Sequence, residues 1–376
     1  MNIEMVDLKS QYKKIKHEID NAIINCVESA EFINGRVVAE FSENLEKYLS
    51  VKHVIPCANG TDALQIAMMA LNLEPGDEVI VPCFTYVATA EVIALLGLVP
   101  IMVDVDPNSY MLDLEKVKSA ITPKTKAIVP VHLFGQCCPM KELMEIAKQF
   151  NLFVIEDSAQ AIGAKYEFVE SKTICSAGTI GHIGCTSFFP SKNIGCYGDG
   201  GALYTNDPDL AKRIKMIANH GQSIKYHHQV VGVNSRLDSI QAAILTIKLK
   251  HLDQYINSRQ EAANFYDKGL SELNWLNTPF RISNSTHVFH QYTLVLTDKI
   301  NREKFQLYLK GNGIPTMIYY PIPLHLQEAY KTNDLSIGSF PITESLCKNV
   351  ISLPIHSELS LEQLQHIVST ICLYNN

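Results

Sequence analysis

The sequence lacks the features that mark several large classes of protein. No apolar run reaches the roughly 20 residues a helix needs to cross a bilayer. The opening stretch MNIEMVDLKSQYKKIK has no apolar core of a secretory signal. Positive charge is not in excess: 32 Lys and Arg against 39 Asp and Glu leave a net charge of -7. That balance argues against nucleic acid as the main partner, although a local basic pocket can still take a small anion. There is no internal repeat, low-complexity tract or long linker. Ten cysteines are present, yet no C-x-x-C pair and no Cys/His cluster at zinc spacing occurs among them. Cys137 and Cys138 are adjacent and make poor disulfide partners, and Cys26 and Cys57 sit in apolar stretches as small core residues. The expectation is a cytoplasmic protein with mostly reduced cysteines, no metal, no membrane and no nucleic acid. At 376 residues, 47% apolar, the chain can build a core without staples, as two or three domains or as one large domain with a smaller appendage.

What is present is an alternation of strand and helix signals. HVIPCANGTDALQIAMMALNL reads strand, turn, helix, with Leu64, Ala67, Met68 and Leu71 at helical spacing. DEVIVPC is a buried strand, and ATAEVIALLGLVPIMVDVD a helix followed by a strand. TKAIVPVHLFG is a strand, MKELMEIAKQFN a helix, and LFVIED a strand ending in charge. ALYTNDPDLAKRIKMIANHG gives a strand and then a helix capped by Asp207, with Pro208 at its first position and Gly221 past its end. Such alternation implies an α/β fold with a mostly parallel sheet covered on both faces. Ligands of such sheets bind at the carboxyl ends of the strands, which selects Asn59–Thr61, Thr85–Tyr86, His132, Asp157–Gln160 and Ser187–Lys192. After about Ser239 the pattern becomes one long helical stretch, straight or kinked, then the strand HVFHQYTLVL, the helix NREKFQLYLKGNG and a terminal helix. This predicts a smaller α+β domain over residues 241–376, beside a large domain over 1–240 that includes a helical N-terminal arm.

The segment TSFFPSKNIGCYGDGG places a single lysine, Lys192, between two phenylalanines and a run of glycines. A desolvated lysine has a lowered pKa and becomes a nucleophilic amine, able to form a Schiff base with an aldehyde. Pyridoxal phosphate is the aldehyde cofactor that uses such a lysine, and each of its other requirements has a candidate at a strand end. Asp157 suits the pyridinium nitrogen, Ala159 is small enough to lie under the ring, and Gln160 suits the ring hydroxyl. Gly60 and Thr61 open a helix whose N-terminus favours phosphate, Ser187 supplies a hydroxyl, and Tyr86 suits the other ring face. Singly, each has a plainer reading: a surface turn for the lysine, a cap for Asn59–Thr61, a loop with positive φ for GDGG. Their conjunction in this order favours the cofactor.

At these residues the chain resembles a known family. CANGTDALQIA, PCFTYVATAE, VIEDSAQAIGA, TSFFPSKNIGCYGDGGA and VGVNSRLDSIQAAIL, with YYPIPLH further on, are similar to the DegT/DnrJ/EryC1/StrS sugar aminotransferases over nearly the whole chain. The resemblance implies the aspartate aminotransferase (fold type I) architecture, with a seven-stranded, mostly parallel sheet, and a homodimer whose active sites are shared between subunits. It implies an internal aldimine between pyridoxal 5'-phosphate and Lys192, with Asp157 on the pyridinium nitrogen and Gln160 on the ring hydroxyl. Gly60, Thr61 and Ser187 hold the phosphate, Asn234 of the neighbouring subunit completes that site, and Tyr86 stacks on the ring. L-glutamate is the implied amino donor, leaving 2-oxoglutarate, and a keto sugar is the acceptor. Some relatives carry histidine in place of the lysine and act as dehydratases; Lys192 favours transamination here.

For the sugar, NSRLDSIQAAIL resembles enzymes that aminate C3. Tyr226, His227 and His228, with CYGDGG, resemble those acting on UDP-2-acetamido-2-deoxy-3-oxo sugars in bacterial surface-glycan synthesis, notably the 3-oxo-glucuronate of O-antigen pathways. Arg236 aligns with an arginine expected to hold a carboxylate, and His220 is a further candidate. The pair His227–His228 also reads as a plain polar loop, and Arg236 as an interface salt-bridge partner. Tyr319, before Tyr320, stands where close relatives have histidine. That departure keeps the neutral UDP-3-oxo-N-acetylglucosamine open, and a dTDP-linked 3-oxo-6-deoxyhexose or a 4-oxo sugar remains an alternative. A non-catalytic regulator of the same fold is the reading from another class; Lys192, Asp157 and Gln160 together argue against it.

Overall fold

The computed structural model describes residues 3–374. Its central sheet has seven strands in the order His53–Cys57, Gly201–Thr205, Ile183–Ser187, Phe153–Asp157, Thr125–Ile128, Glu78–Pro82 and Val99–Val103. Gly201–Thr205 runs antiparallel to both its neighbours, and every other pairing is parallel. The parallel direction follows from the sequence. The first four connections each carry a helix (Gly60–Ala70, Ala88–Leu95, Leu114–Ala120 and Met140–Phe150) that returns the chain to the same end of the sheet. Period-two alternation sends Val79 and Val81 to the face covered by helix Gly60–Ala70, with Ile155 and Leu203, and Ile80, Val154 and Ala202 to the opposite face. Both faces are buried, so the strands are mostly apolar, with buried polar groups such as Glu156, Asp157 and Thr186 towards their carboxyl ends.

Local signals hold where sequence chemistry dictates them. Asp207 accepts from the backbone N–H groups of Asp209 and Leu210 at 2.8 and 3.1 Å, with Pro208 following it at the start of helix Pro208–Ala218. Gly221 has φ +70°. Leu64, Ala67, Met68 and Leu71 are all buried.

The long helical stretch expected from Ser239 breaks at Lys250–His251 into Ser239–Leu249 and Leu252–Leu270. The first piece packs on the N-terminal helices Leu8–Ser29 and Arg36–Leu49, and sends Ala242 and Leu245 into the large core. Ser239 Oγ accepts from Gly35 N–H at 3.2 Å. The expected division after residue 240 therefore falls inside the first turn of a helix that sides with the large part. The second piece joins helices Arg302–Gly311 and Leu361–Cys372 around an antiparallel sheet of Leu276–Asn277, Tyr292–Leu296 and Val350–Leu353. That unit has its own core, with Tyr266, Tyr292 and Phe305 fully buried. Each such ring contributes about 1.5–3 kcal/mol.

Two hairpins were not anticipated from sequence: Lys165–Phe168 with Thr173–Ser176, and Gln222–Ile224 with His227–His228. All ten cysteines are free thiols, eight of them buried. Among the described residues no helix is long and apolar enough to cross a membrane, and no cluster of His, Cys, Asp or Glu suits a metal ion.

Candidate active site

A cleft of about 660 Å³ opens at the carboxyl ends of the parallel strands. It brings together Gly60, Thr61, Tyr86, Asp157, Ala159, Gln160, Ser187, Lys192, Tyr319 and Tyr320, ten of the residues expected from sequence.

Lys192 follows strand Ile183–Ser187 on a tight loop, where its backbone N–H donates to Phe189 O at 2.8 Å. The loop closes through Cys196 N–H to Phe188 O at 2.8 Å and Phe188 N–H to Gly200 O at 2.7 Å. The glycines beside the lysine serve close approach rather than unusual backbone angles. None from Gly195 to Gly201 has a positive φ, but a Cβ on Gly195 would stand 2.2 Å from Pro190 O. The Lys192 side chain is partly open to the cleft yet ringed by protein. Burial pushes its pKa down to about 8, against the opposing pull of Asp157. The amine is therefore within reach of its nucleophilic form near neutral pH.

Asp157 ends strand Phe153–Asp157 and is 6% exposed. Burial raises its pKa; hydrogen bonds from Thr89 Oγ1 at 2.8 Å and Ala159 N–H at 3.2 Å, and the Lys192 charge, favour the ionised form. Gln160 is held at both ends: its Oε1 accepts from Phe134 N–H at 2.7 Å, and its Nε2 donates to Tyr320 Oη at 3.1 Å. Tyr86 is mostly exposed on the cleft wall, its ring 6.1 Å from that of Tyr320.

Helix Gly60–Ala70 begins at the cleft. Asn59 caps it by accepting from Asp62 N–H at 2.8 Å, so the N–H groups of Gly60 and Thr61 have no intrahelical acceptor. A Cβ on Gly60 would lie 2.7 Å from Ser187 Cβ. The helix start and Ser187 thus form a cradle that only glycine leaves open. Thr85 Oγ1, on the same cleft, is buried without a hydrogen-bond partner, as expected of a hydroxyl awaiting a ligand. These features fit a phosphorylated pyridine aldehyde: an anion cradle, a buried carboxylate, an amide fixed by two partners and a desolvated amine.

Other expected residues lie elsewhere in the chain. Asn234 is exposed and bridges to Asn219. Arg236 Nη1 donates weakly to Asn219 Oδ1 at 3.5 Å. His220, Tyr226, His227 and His228 are exposed around the Gln222–His228 hairpin, with His220 and Tyr226 at positive φ. None of these six lines the cleft of its own chain. His132, a strand-end residue, is fully buried and bonded at 2.8 Å to Glu156, outside the cleft. The structure adds residues the sequence did not single out. Thr89 bonds Asp157. His290 and Gln291 line the cleft from the C-terminal part, and burial with the nearby Lys192 and Arg259 charges holds the His290 pKa well below its usual value. Thr89 sits in the first turn of a mostly apolar helix whose one charge is the exposed Glu91, so nothing local marks its hydroxyl as functional.

Comparison with known proteins agrees with this geometry. The DegT/DnrJ/EryC1/StrS aminotransferase family model matches residues 13–372. The chain is 46% identical over 98% of its length, and 99% of the relative's, to UDP-2-acetamido-2-deoxy-3-oxo-D-glucuronate aminotransferase of Pseudomonas aeruginosa. It is 44% identical over 99% of its length, and 98% of the relative's, to a pleiotropic regulatory protein of Geobacillus stearothermophilus. A UDP-N-acetyl-3-dehydro-alpha-D-glucosamine 3-aminotransferase of Acidithiobacillus ferrooxidans is 41% identical, over 98% of this chain and 97% of that one. Among solved structures, S. venezuelae DesV in complex with a ketimine intermediate superposes with a TM-score of 0.93 at 36% identity, covering 98% and 97% of the two chains. NtdA of Bacillus subtilis with bound cofactor PMP gives 0.87 at 30%, covering 98% and 82%. The chain belongs to the DegT/DnrJ/EryC1/StrS aminotransferase family, and its cofactor is pyridoxal phosphate.

Proposed function

We propose that the protein transfers the amino group of L-glutamate to C3 of a UDP-linked 2-acetamido-2-deoxy-3-oxo sugar, of glucose or glucuronate type, for a bacterial surface glycan. The observation that carries the chemistry is the pairing of Lys192 and Asp157 in one cleft with the Gly60–Ser187 cradle. The names of the Pseudomonas and Acidithiobacillus relatives support the sugar class.

Pyridoxal phosphate, when bound, supplies an electron sink next to the carbon whose proton is removed. The residues of the chain do the rest. Gly60, Thr61 and Ser187 hold the phosphate. Asp157 gains, in the ring nitrogen, the N–H partner that a buried carboxylate needs. Gln160, pinned by Phe134 and Tyr320, orients the ring hydroxyl. Lys192 Nζ would anchor the cofactor, and its free amine would serve as the group that accepts and returns the proton moved in the transfer. A pKa of about 8 leaves it able to do both at neutral pH. The net exchange would convert glutamate to 2-oxoglutarate and the keto sugar to its amine, so that the nitrogen lost by one substrate is gained by the other.

The six residues outside the cleft have a place if the protein is a homodimer. Asn234 would then complete the neighbouring subunit's phosphate site, Arg236 would hold a carboxylate, and His220 and Tyr226–His228 would reach the sugar nucleotide. The positive φ of His220 and Tyr226 supports a shaped loop rather than a loose one. A regulatory role is the second reading, favoured only by the printed name of the Geobacillus relative.

The test is glutamate-dependent amination, read by mass spectrometry, over UDP- and dTDP-linked 3-oxo and 4-oxo sugars. Amination of the UDP-3-oxo sugars alone is expected. Amination of only 4-oxo or dTDP sugars refutes the assignment, and no amination with no borohydride-trapped Lys192 favours the regulator.

A further inference from the structure

Behind the cleft wall lies a buried chain of polar groups that the transamination chemistry does not use. Cys83 is 1% exposed and His325 fully buried. Cys83 Sγ lies 3.2 Å from His325 Nδ1. On the other side of the ring, His325 Nε2 lies 3.3 Å from Glu344 Oε1, too oblique for a full hydrogen bond but close enough for attraction. Burial pushes the Cys83 thiol up to about 12, so the sulfur keeps a proton it can offer to Nδ1. Nε2 of the same ring faces the carboxylate. Glu344 is itself fixed, accepting from Gly338 N–H at 2.8 and 2.9 Å and from Phe340 N–H at 3.2 Å. The Phe340 ring meets the imidazole edge-on at 4.8 Å.

Both ends of the Cys83–His325 contact lead directly to the cleft. Cys83 is two residues before Thr85 and three before Tyr86. His325 is five residues after Tyr320, along a segment stiffened by Pro321 and Pro323. Leu324 N–H also approaches Cys83 O at 3.4 Å. The Tyr320 ring, on the cleft wall, lies 6.1 Å from the buried Phe84 ring behind it and 6.1 Å from that of Tyr86. Cys83, His325 and Glu344 do not themselves line the cleft.

We propose that Cys83, His325 and Glu344 form a buried strut that positions Tyr86 and Tyr320, and through them decides how the cleft grips a sugar. The specificity half of this inference rests on the UDP-sugar reading above; the positioning half does not. The strut ties the residue after strand Glu78–Pro82, through the turn at Leu324–Leu326, to helix Pro341–Asn349. Its members are positioning residues, acting through the aromatic wall.

The experiment compares Cys83→Ala, Cys83→Ser and His325→Phe with the wild-type holoenzyme. Calorimetry reads the binding of UDP and of UDP-N-acetylglucosamine, and hydrogen–deuterium exchange reads segments 83–88 and 318–324. Cys83→Ala and His325→Phe are expected to weaken UDP-N-acetylglucosamine at least fivefold, with UDP within twofold of wild type, and to raise exchange in both segments. Cys83→Ser keeps the donor and restores both readouts. A folded Cys83→Ala protein with wild-type exchange, or with UDP and the UDP-sugar weakened alike, overturns the strut. Wild-type protein that binds UDP-N-acetylglucosamine no more tightly than UDP overturns the UDP-sugar reading, and the positioning claim then stands or falls on the exchange data.

Discussion

Thr89 Oγ1 donates to Asp157 Oδ2 at 2.8 Å, so a hydroxyl from helix Ala88–Leu95 steadies the carboxylate at the floor of the cleft. The bond matters because burial alone raises the Asp157 pKa, and Thr89 is the largest influence opposing it. Thr89→Val keeps the shape and removes the donor. The Asp157 pKa should move further up, and pyridoxal phosphate should bind about tenfold more weakly, since a bond to a charged group contributes about 1.5–3 kcal/mol. Cofactor titration followed by absorbance measures this. The acid limb of the pH–rate profile should shift to higher pH in the same variant.

The cradle gives a steric prediction. In Gly60→Ala the new Cβ would lie 2.7 Å from Ser187 Cβ and 3.3 Å from its Cα. One of the two segments must move, at a cost of about 1–3 kcal/mol. The same movement displaces the helix start and Ser187 from a shared anion. Thermal denaturation should show modest destabilisation of the apoprotein, while phosphate-dependent cofactor affinity falls by at least a further tenfold. Equal affinity for pyridoxal phosphate in variant and wild type would remove Gly60 from the phosphate site.

Lys192 allows a prediction about pH with a definite sign. Its folded pKa is about 8 against an ordinary 10.5. Below pH 8 the amine is protonated in both states, and the fold bears the whole cost of a desolvated cation. Between about 8 and 10.5 the unfolded chain holds more protons, so stability relative to a neutral side chain rises with pH. Above that range the cost is gone. The apoprotein of Lys192→Met should therefore be more stable than wild type at pH 7, by about 1–3 kcal/mol after allowance for solvent at a partly open site. That advantage should vanish on approaching pH 10.5. Paired urea melts across the range measure it, and a constant difference would mean that the amine is not desolvated.

The sequence disclosed the residues that gather in the cleft more fully than those proposed to reach a neighbouring subunit, for a physical reason. Asp157, Gln160, Ser187 and Lys192 lie at or just beyond strand ends, and a parallel sheet must bring strand ends together. Alternating apolar runs were therefore enough to gather them. Tyr226–His228 lie on a hairpin whose short strands carry no apolar pattern, His220, Asn234 and Arg236 lie in the irregular segments around it, and one chain does not bring them to the cleft. Thr89 and the Cys83–His325 contact were hidden differently. Both depend on which side chains face each other across 68 or 242 residues, and no local period encodes that. The glycines near Lys192 were legible as a special backbone, but their cause is crowding rather than positive φ, Gly195 against Pro190 O and Gly201 against the Asn59 backbone.

A final prediction concerns the joint between the two parts of the chain. Asp104, at the end of strand Val99–Val103 and 6% exposed, accepts from Ile342 N–H at 3.0 Å, Thr343 N–H at 2.9 Å and Thr343 Oγ1 at 2.7 Å. It thereby caps helix Pro341–Asn349 from 238 residues away in sequence, a position with no capping side chain of its own. Asp104→Ala orphans these buried donors and removes a helix cap, which should cost about 2–4 kcal/mol. Asp104→Asn keeps one acceptor oxygen and should lose about half as much. Because Glu344 lies in the same helix, loosening it should also raise hydrogen exchange through residues 338–349 before global unfolding. A variant that loses stability without this local signature would place the role of Asp104 in its bond to Val105 N–H at 3.0 Å rather than in the distant helix.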